Sequence, residues 1–426
     1  MSYENSLDYA RQQDANDPLR SYRERFYIPQ VNGKEAYYFT GNSLGLQPKT
    51  VRGFVEEELK GWETLGVEGH FEAHSKPWAH YHKFSKEALG RLVGAKPVEV
   101  VSMNSLTVNL HLLMVSFYQP TRERYKIICE AGAFPSDQYM FESQLKFHGL
   151  DPDKALVELT PREGEQTLHQ EDIEAAIRDS GDELALVLMG GVQYYTGQFF
   201  DLKAITQVAH EVGAIAGFDL AHAFGNVPLQ LHDWDVDFAT WCSYKYLNSG
   251  PGNVSGIYVH ERFAEDDSLN RFAGWWGHHE GERFLMKKGF QAMPGADGWQ
   301  LSNVNVISTA AHLASLEIFD EVGMEALRKK SLNLTGYMEF LVNQLSGEEG
   351  IFEIITPSDP ASRGCQLSIF CHKRGRELFE ALTAEGLIAD WREPNVIRVA
   401  PVPLYNSFED VYQFARILRE TLEKWS

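Results

Sequence analysis

An α/β fold with a mostly parallel central sheet, followed by a smaller C-terminal α+β domain, is the architecture this sequence predicts. Three observations carry that reading. The middle third repeats a strand, helix, strand rhythm, and the C-terminal part changes pattern to helical segments with short strands between them. The length, 426 residues, exceeds the roughly 250 to 300 residues at which single hydrophobic cores stop growing, so two domains are expected.

Taken in order, residues 184–189 are a continuous apolar strand, 202–212 have helical spacing, and 214–220 and 238–243 are further apolar strands. Runs that are apolar throughout belong to a parallel sheet buried on both faces. In such sheets ligands sit at the carboxyl ends of the strands, where polar residues cluster here. Beyond them come a helix at 311–322, a longer helix after Leu327, strands at 366–370 and 396–399, and a closing helix from Phe408. The expected division is an N-terminal arm at 1–60 packing with the small domain, a large domain at 61–305 and a small domain at 306–426. No low-complexity tract or repeat at a solenoid period interrupts it.

With 39 Lys+Arg against 60 Asp+Glu, the net charge of -21 repels phosphate backbones and anionic headgroups, so neither nucleic acid nor a membrane surface is an expected partner. The stretch 1–20 has no apolar h-region, and the runs 184–189 and 112–115 are too short to span a bilayer. A soluble, untargeted, cytoplasmic protein is expected. Cys129, Cys242, Cys365 and Cys371 fall at no C-x-x-C spacing, so no metal site or disulfide framework is expected.

In Trp241-Cys-Ser-Tyr-Lys-Tyr-Leu-Asn248 a lysine follows directly on an apolar strand, between two tyrosines. Lys245 is open to two readings: it snorkels to solvent, or its amine is partly desolvated, nucleophilic and able to form a Schiff base. Asp219, in Gly217-Phe-Asp-Leu-Ala-His222, ends the neighbouring strand one crossover earlier. An Asp there caps a helix, or it sits against the pyridine nitrogen of pyridoxal phosphate (PLP) and keeps the ring an electron sink. His222 contacts that cofactor or packs. In Asn104-Ser-Leu-Thr-Val-Asn109, Ser105 or Thr107 can start a helix whose first N–H groups make an ordinary cap or a phosphate seat. Phe134, in Ala133-Phe-Pro-Ser-Asp137, stacks on a flat ring or joins the core.

These segments, with Phe39-Thr-Gly-Asn-Ser-Leu-Gly-Leu-Gln-Pro48, Tyr195-Thr-Gly-Gln198, Gly274-Trp-Trp-Gly-His278, Ser302-Asn303 and Arg398-Val-Ala-Pro-Val-Pro-Leu-Tyr-Asn406, resemble the kynureninase family in order and over nearly the whole chain. The resemblance implies the PLP-dependent aminotransferase-like fold (fold type I) and a homodimer with shared active sites. It implies that Lys245 carries PLP as a Schiff base, Asp219 pairs with the pyridinium nitrogen, and Phe134, with Pro135 and Ser136 beside it, lies against the ring. Leu106, Thr107 and Tyr244 are expected at the phosphate, with Trp275 and Asn303 reaching it or the substrate from the partner subunit. His222 and Asp137 are expected to touch the cofactor, Arg398 to clamp the substrate carboxylate with its bidentate fork, and Ser43 and His70 to line the aryl pocket. Gly190 departs from the family, whose members can carry a hydroxyl residue there, and leaves that cofactor contact open.

The reaction so implied is hydrolysis of the Cβ–Cγ bond of kynurenine or 3-hydroxykynurenine, giving anthranilate or 3-hydroxyanthranilate and alanine, in tryptophan catabolism and NAD precursor synthesis. Lys245 would move the α-proton, with Asp137 among the catalytic groups. Tyr195 is the candidate proton relay, because a phenol beside a phosphate can have a lowered pKa; its alternative role is a phosphate hydrogen bond alone. His70 and Asn303 at the ring edge predict a preference for 3-hydroxykynurenine. Two rivals share the scaffold. A cysteine desulfurase or aminotransferase is one, and a desulfurase would use an exposed thiol, for which Cys365 is a candidate and a small core thiol the other reading. A binding subunit without catalysis is the second, and Lys245, Asp219 and Arg398 speak against it.

Overall fold

Seven strands form the central sheet of the computed structural model, which describes residues 3–71, 74–345 and 350–425. They are β1 (Val100–Ser102), β2 (Lys126–Glu130), β3 (Leu156–Leu159), β4 (Leu184–Gly190), β5 (Ile215–Asp219), β6 (Phe238–Trp241) and β7 (Gly256–Val259), in the order β1-β7-β6-β5-β4-β2-β3. The pairs from β3 through β6 are parallel, and β7 runs antiparallel to both of its neighbours. The mostly parallel sheet expected from the apolar runs is therefore present.

Successive strand side chains point to opposite faces, so a sheet covered on both sides needs apolar residues at every position. Ile128, Val187, Met189, Phe218, Ala239 and Trp241 join one core, while Ile127, Cys129, Leu186, Leu188, Phe238 and Ile257 join the other. Helix Leu202–Glu211 covers the first face with Leu202, Ile205 and Val208, and it starts cleanly because the Asp201 side chain accepts the Ala204 N–H at 3.0 Å. Helix Leu106–Phe117 covers the second with Leu110, Leu113 and Phe117.

A second, antiparallel sheet holds β8 (Phe352–Ile354), β9 (Leu367–Cys371), β10 (Asp390–Arg392) and β11 (Val396–Val399) in the order β8-β9-β11-β10. Helices Met324–Asn343 and Phe408–Glu423 pack on it through Leu334, Met338, Ile369, Val399, Phe414 and Leu418. The second of these helices opens with a capping box between Ser407 and Asp410. Helix Leu7–Asn16 adds Ala10 to the same core. Asp14 accepts the N–H groups of Phe408 and Glu409 at 2.7 and 2.9 Å, and buried Lys330 pairs with Asp17 at 2.7 Å.

The carboxyl ends of β2, β4 and β5 bring Glu130, Gly190 and Asp219 to one place, where the turn after β6 and the start of helix Leu106–Phe117 also arrive. Among the described residues no helix is long and apolar enough to cross a membrane.

Candidate active site

A cavity of about 230 Å³ opens at those strand ends. Lys245 Nζ and His222 Nε2 lie 2.9 Å apart, and Nζ stands 5.6 Å from the centre of the Phe134 ring. Burial drives His222 well below the ordinary imidazole range, and the charges of Lys245, Arg398 and Arg392 add to that. The ring is therefore neutral and accepts from Lys245 at Nε2, which leaves its proton on Nδ1. That Nδ1 is buried without a partner among the described residues.

Asp219 Oδ1 accepts the Ala221 N–H at 2.7 Å. Its carboxyl also meets that of Asp137, and burial raises both; the charges of Asp219 and Glu130 raise Asp137 further. Glu130, pushed up to about 7 by burial first and then by Asp219, accepts the Gly190 N–H at 3.2 Å through each oxygen. A Cβ at Gly190 would come within 2.9 Å of Glu130 Oε1, so Glu130 fills the space beside that glycine.

Three carboxyls, all raised by burial, thus surround one amine, and a further cation against Asp219 would favour its ionised form. A protonated pyridine nitrogen supplies such a cation. At the other end, Ser105 precedes helix Leu106–Phe117 in extended conformation and makes no side-chain cap bond, so the first helical N–H groups remain for an anion. The orphaned His222 Nδ1, the open face of Phe134 and this helix start together fit PLP. Asp219 could hold its nitrogen, Leu106 and Thr107 its phosphate, and Lys245 its aldehyde carbon.

Arg398 lies on β11 and is 1% exposed. Its Nη1 donates to the Tyr194 carbonyl at 2.7 Å, and the Tyr194 ring stands edge-on to Phe134 with centroids 5.2 Å apart. Ser43 Oγ lies 3.5 Å from Arg398 Nη2. Lys245, Asp219, His222, Asp137, Ser136, Phe134, Leu106, Thr107 and Tyr244 line the one cavity, with Arg398 and Ser43 behind its Tyr194 wall.

Other expected residues lie elsewhere in the chain. Tyr195 lines a neighbouring cavity of about 250 Å³ with Gln193 and Gln198, while Tyr194 borders both cavities. Burial raises the Tyr195 phenol, so the lowered value expected for it is not found in the protein alone. Pro135 is exposed at the first turn of helix Pro135–Phe147, outside the cavity. His70 Nδ1 bonds the Val67 carbonyl at 3.1 Å and packs edge-on against Trp78. Trp275 Nε1 donates to the Arg283 carbonyl at 3.2 Å, and Asn303 is exposed. None of these last three lines the Lys245 cavity of its own chain. Glu130, Tyr194, Asp390 and Arg392 belong to the site region without having been singled out in the sequence.

Cys365, the thiol a desulfurase reading needs, is buried with the other three cysteines, and burial pushes it up to about 12. It is a core thiol in this chain. Glu99, His232 and His260 form a group of metal-ligating types, but their atoms are already engaged. Glu99 bonds His232 Nδ1 and the N–H groups of Glu261 and Lys96, and His260 Nδ1 accepts the Arg262 N–H.

A mostly parallel sheet that sets Lys245 against a buried aspartate at its carboxyl edge defines the class: a PLP-dependent enzyme of the aminotransferase-like fold type I. Solved structures agree on the fold. A cysteine desulfurase from Thermococcus onnurineus NA1 superposes with a TM-score of 0.75 at 17% identity, covering 91% of this chain and 95% of that one. One from Escherichia coli gives 0.76 at 16%, covering 95% and 98%. The family model for the kynureninase C-terminal domain matches residues 327–418. Kynureninase of Flavobacterium psychrophilum is 57% identical over 421 residues, 99% of each chain, and that of Myxococcus xanthus 55% identical over 417 residues, 98% of this chain and 97% of the other. The chain belongs to the kynureninase family.

Proposed function

We propose that the chain hydrolyses the Cβ–Cγ bond of L-kynurenine and 3-hydroxy-L-kynurenine to release L-alanine and the aryl acid, in tryptophan catabolism and NAD precursor synthesis. The observation that carries this reading is Lys245 Nζ placed 2.9 Å from a neutral His222 in the cavity that Asp137, Asp219 and Tyr194 line, with Arg398 bonded to the Tyr194 carbonyl. When bound, PLP supplies the electron sink that makes the α- and β-carbons of an amino acid acidic. Asp219 would hold its ring nitrogen, Leu106, Thr107 and Tyr244 its phosphate, and Phe134, Ser136 and Asp137 the ring. Lys245 moves the proton at Cα, and His222, uncharged and accepting from Nζ at 2.9 Å, orients the amine. Arg398 orients the substrate through its α-carboxylate. For the later proton relay, Tyr244 lines the Lys245 cavity and Tyr195 the next one, and burial raises both phenols. Hydrolysis of kynurenine, followed by anthranilate fluorescence, tests the reading.

The same reading divides the chain into an arm at 1–60, a large domain at 61–305 and a small domain at 306–426. The separate core around β8 to β11, which helix Leu7–Asn16 joins, supports a second domain, while Leu313, Leu316 and Phe319 of helix Val306–Val322 pack in the core of the large sheet. It also makes the chain a cytoplasmic homodimer with shared sites, which would bring Trp275, Asn303 and His70 to the partner's cavity. Support comes from Phe272, Trp275, Phe284, Leu285, Met286 and Phe290, all exposed on one stretch of chain; exposed apolar patches mark interaction sites. Mixing inactive Lys245→Ala chains with inactive Trp275→Ala chains should restore about a quarter of wild-type activity, the share of intact sites after random exchange in a two-fold dimer. Exchange demonstrated without recovery would count against shared sites.

The preference for 3-hydroxykynurenine follows from His70 and Asn303. With Nδ1–H committed to the Val67 carbonyl, His70 keeps Nε2 as an acceptor for a ring hydroxyl. A site built to bond a hydroxyl loses binding when its polar groups are left unpaired. His70→Trp with Asn303→Thr should swing the ratio of kcat/KM values toward kynurenine by about tenfold or more. An unchanged ratio in folded, PLP-loaded protein would remove both residues from the specificity argument.

A further inference from the structure

Asp390 stands directly across the strand pair from Arg398, on β10 opposite β11. Its Oδ2 takes three donors: Arg398 Nη2, Arg392 Nη2 at 3.2 Å and Ser43 Oγ at 2.6 Å. The far side of the Arg398 guanidinium is fixed by the Tyr194 carbonyl. The Nε atoms of both arginines are buried and have no hydrogen-bond partner among the described residues. Two guanidinium groups therefore share one carboxylate, and both lie close enough to act on His222 in the Lys245 cavity.

The charge count decides what this corner can bind. Arg398 is buried, whereas the Arg392 side chain is 36% exposed. Asp390 cancels one of the two cations and leaves one positive charge, partly met by solvent and with its buried Nε unpaired among the described residues, beside the cavity. A partly solvated cation still favours one anion beside it, and an excess of negative charge around buried Arg398 and Asp390 is costly. One further carboxylate balances the corner; a second would overcharge it.

We propose that Asp390 is a positioning and specificity-determining residue: it holds Arg398 in place for the substrate α-carboxylate and cancels Arg392, so that the site selects monocarboxylates over dicarboxylates. The proposal rests on Arg398 being the reader of that carboxylate. Removal of the Asp390 charge raises the corner to two unbalanced cations and turns the preference toward a dianion.

Competitive inhibition of the holoenzyme by succinate and by succinamate tests this, because the two compounds differ in whether the second end is charged. The wild type should bind succinamate at least as tightly as succinate. Asp390→Asn keeps the shape and should shift the ratio in favour of succinate by about tenfold or more, the scale of one extra ion pair near a protein surface. Adding Arg392→Gln restores a single unbalanced charge and should return the ratio to the wild-type value. An unchanged ratio in Asp390→Asn with PLP bound overturns the proposal, as does failure of the double variant to reverse it. Should Asp390→Asn not fold, Arg392→Gln alone decides: it neutralises the corner and should weaken both inhibitors about tenfold, and undiminished binding overturns the proposal. Arg398→Lys separates the two readings. It should weaken both compounds in every background, and if it weakens neither, the carboxylate role of Arg398 fails instead.

Discussion

Lys245→Ala is expected to lower kynurenine hydrolysis by about 10³-fold or more, since a positioned proton-transfer group contributes about 10²- to 10⁴-fold and the covalent link to PLP is lost with it. Borohydride reduction should no longer fix PLP to the chain. Fixation at the wild-type level would move the link to another lysine. A second consequence appears without cofactor. Lys245 is the cation that holds down Asp137 and Asp219, both of which burial raises. A carboxyl raised in the folded state contributes stability below its unfolded pKa, near 4, and loses it as pH rises through its folded value. The melting temperature of cofactor-free Lys245→Ala should therefore fall further below that of the cofactor-free wild type as pH rises from about 4 toward neutrality. A gap independent of pH would show that Lys245 does not balance this pair.

The large sheet was legible because parallel strands buried on both faces leave uninterrupted apolar runs. The runs at 184–189, 214–220 and 238–243 became β4, β5 and β6. The last strand ends earlier than its run: β6 stops at Trp241, and Ser243 turns aside to donate to the Val254 carbonyl. Lys245 therefore sits in the turn beyond the strand, with Asn248 in the left-handed region at φ 61° closing it. Helix 311–322 begins earlier, at Val306, because the polar residues of its first turn hid the helical period. Asp390 and Arg392 were illegible for a different reason. Their partner Arg398 is reached through the antiparallel register of β10 and β11, and register in a short strand leaves no local signal. Glu130 looked like any acidic residue closing a strand; only the convergence of β2, β4 and β5 makes it a third carboxylate beside Asp219 and Asp137. Tyr194 and Tyr195 are adjacent, and their order along the chain does not say which ring enters the Lys245 cavity.

Arg398→Lys is expected to raise KM for kynurenine by about 10- to 100-fold with a smaller effect on kcat. Breaking one partner of a desolvated ion pair costs about 3 to 5 kcal/mol. Lysine keeps the charge and recovers part of that, but it cannot reproduce the planar fork. Arg398 Nη1 and Nη2 are already committed to the Tyr194 carbonyl and to Asp390, so a lysine there would have to leave one of these acceptors unserved while meeting the substrate. An unchanged KM would make Arg398 a structural residue that ties β11 to the Tyr194 segment, and the substrate carboxylate would have to be read elsewhere.

The claim that this chain hydrolyses the Cβ–Cγ bond of kynurenine is tested most directly by incubating the purified holoenzyme with L-kynurenine and measuring anthranilate fluorescence and alanine together. Equimolar anthranilate and alanine from the wild type, and neither from Lys245→Ala, is the predicted result. Loss of the kynurenine amino group with no anthranilate formed, or sulfur released from cysteine while kynurenine stays intact, would contradict it.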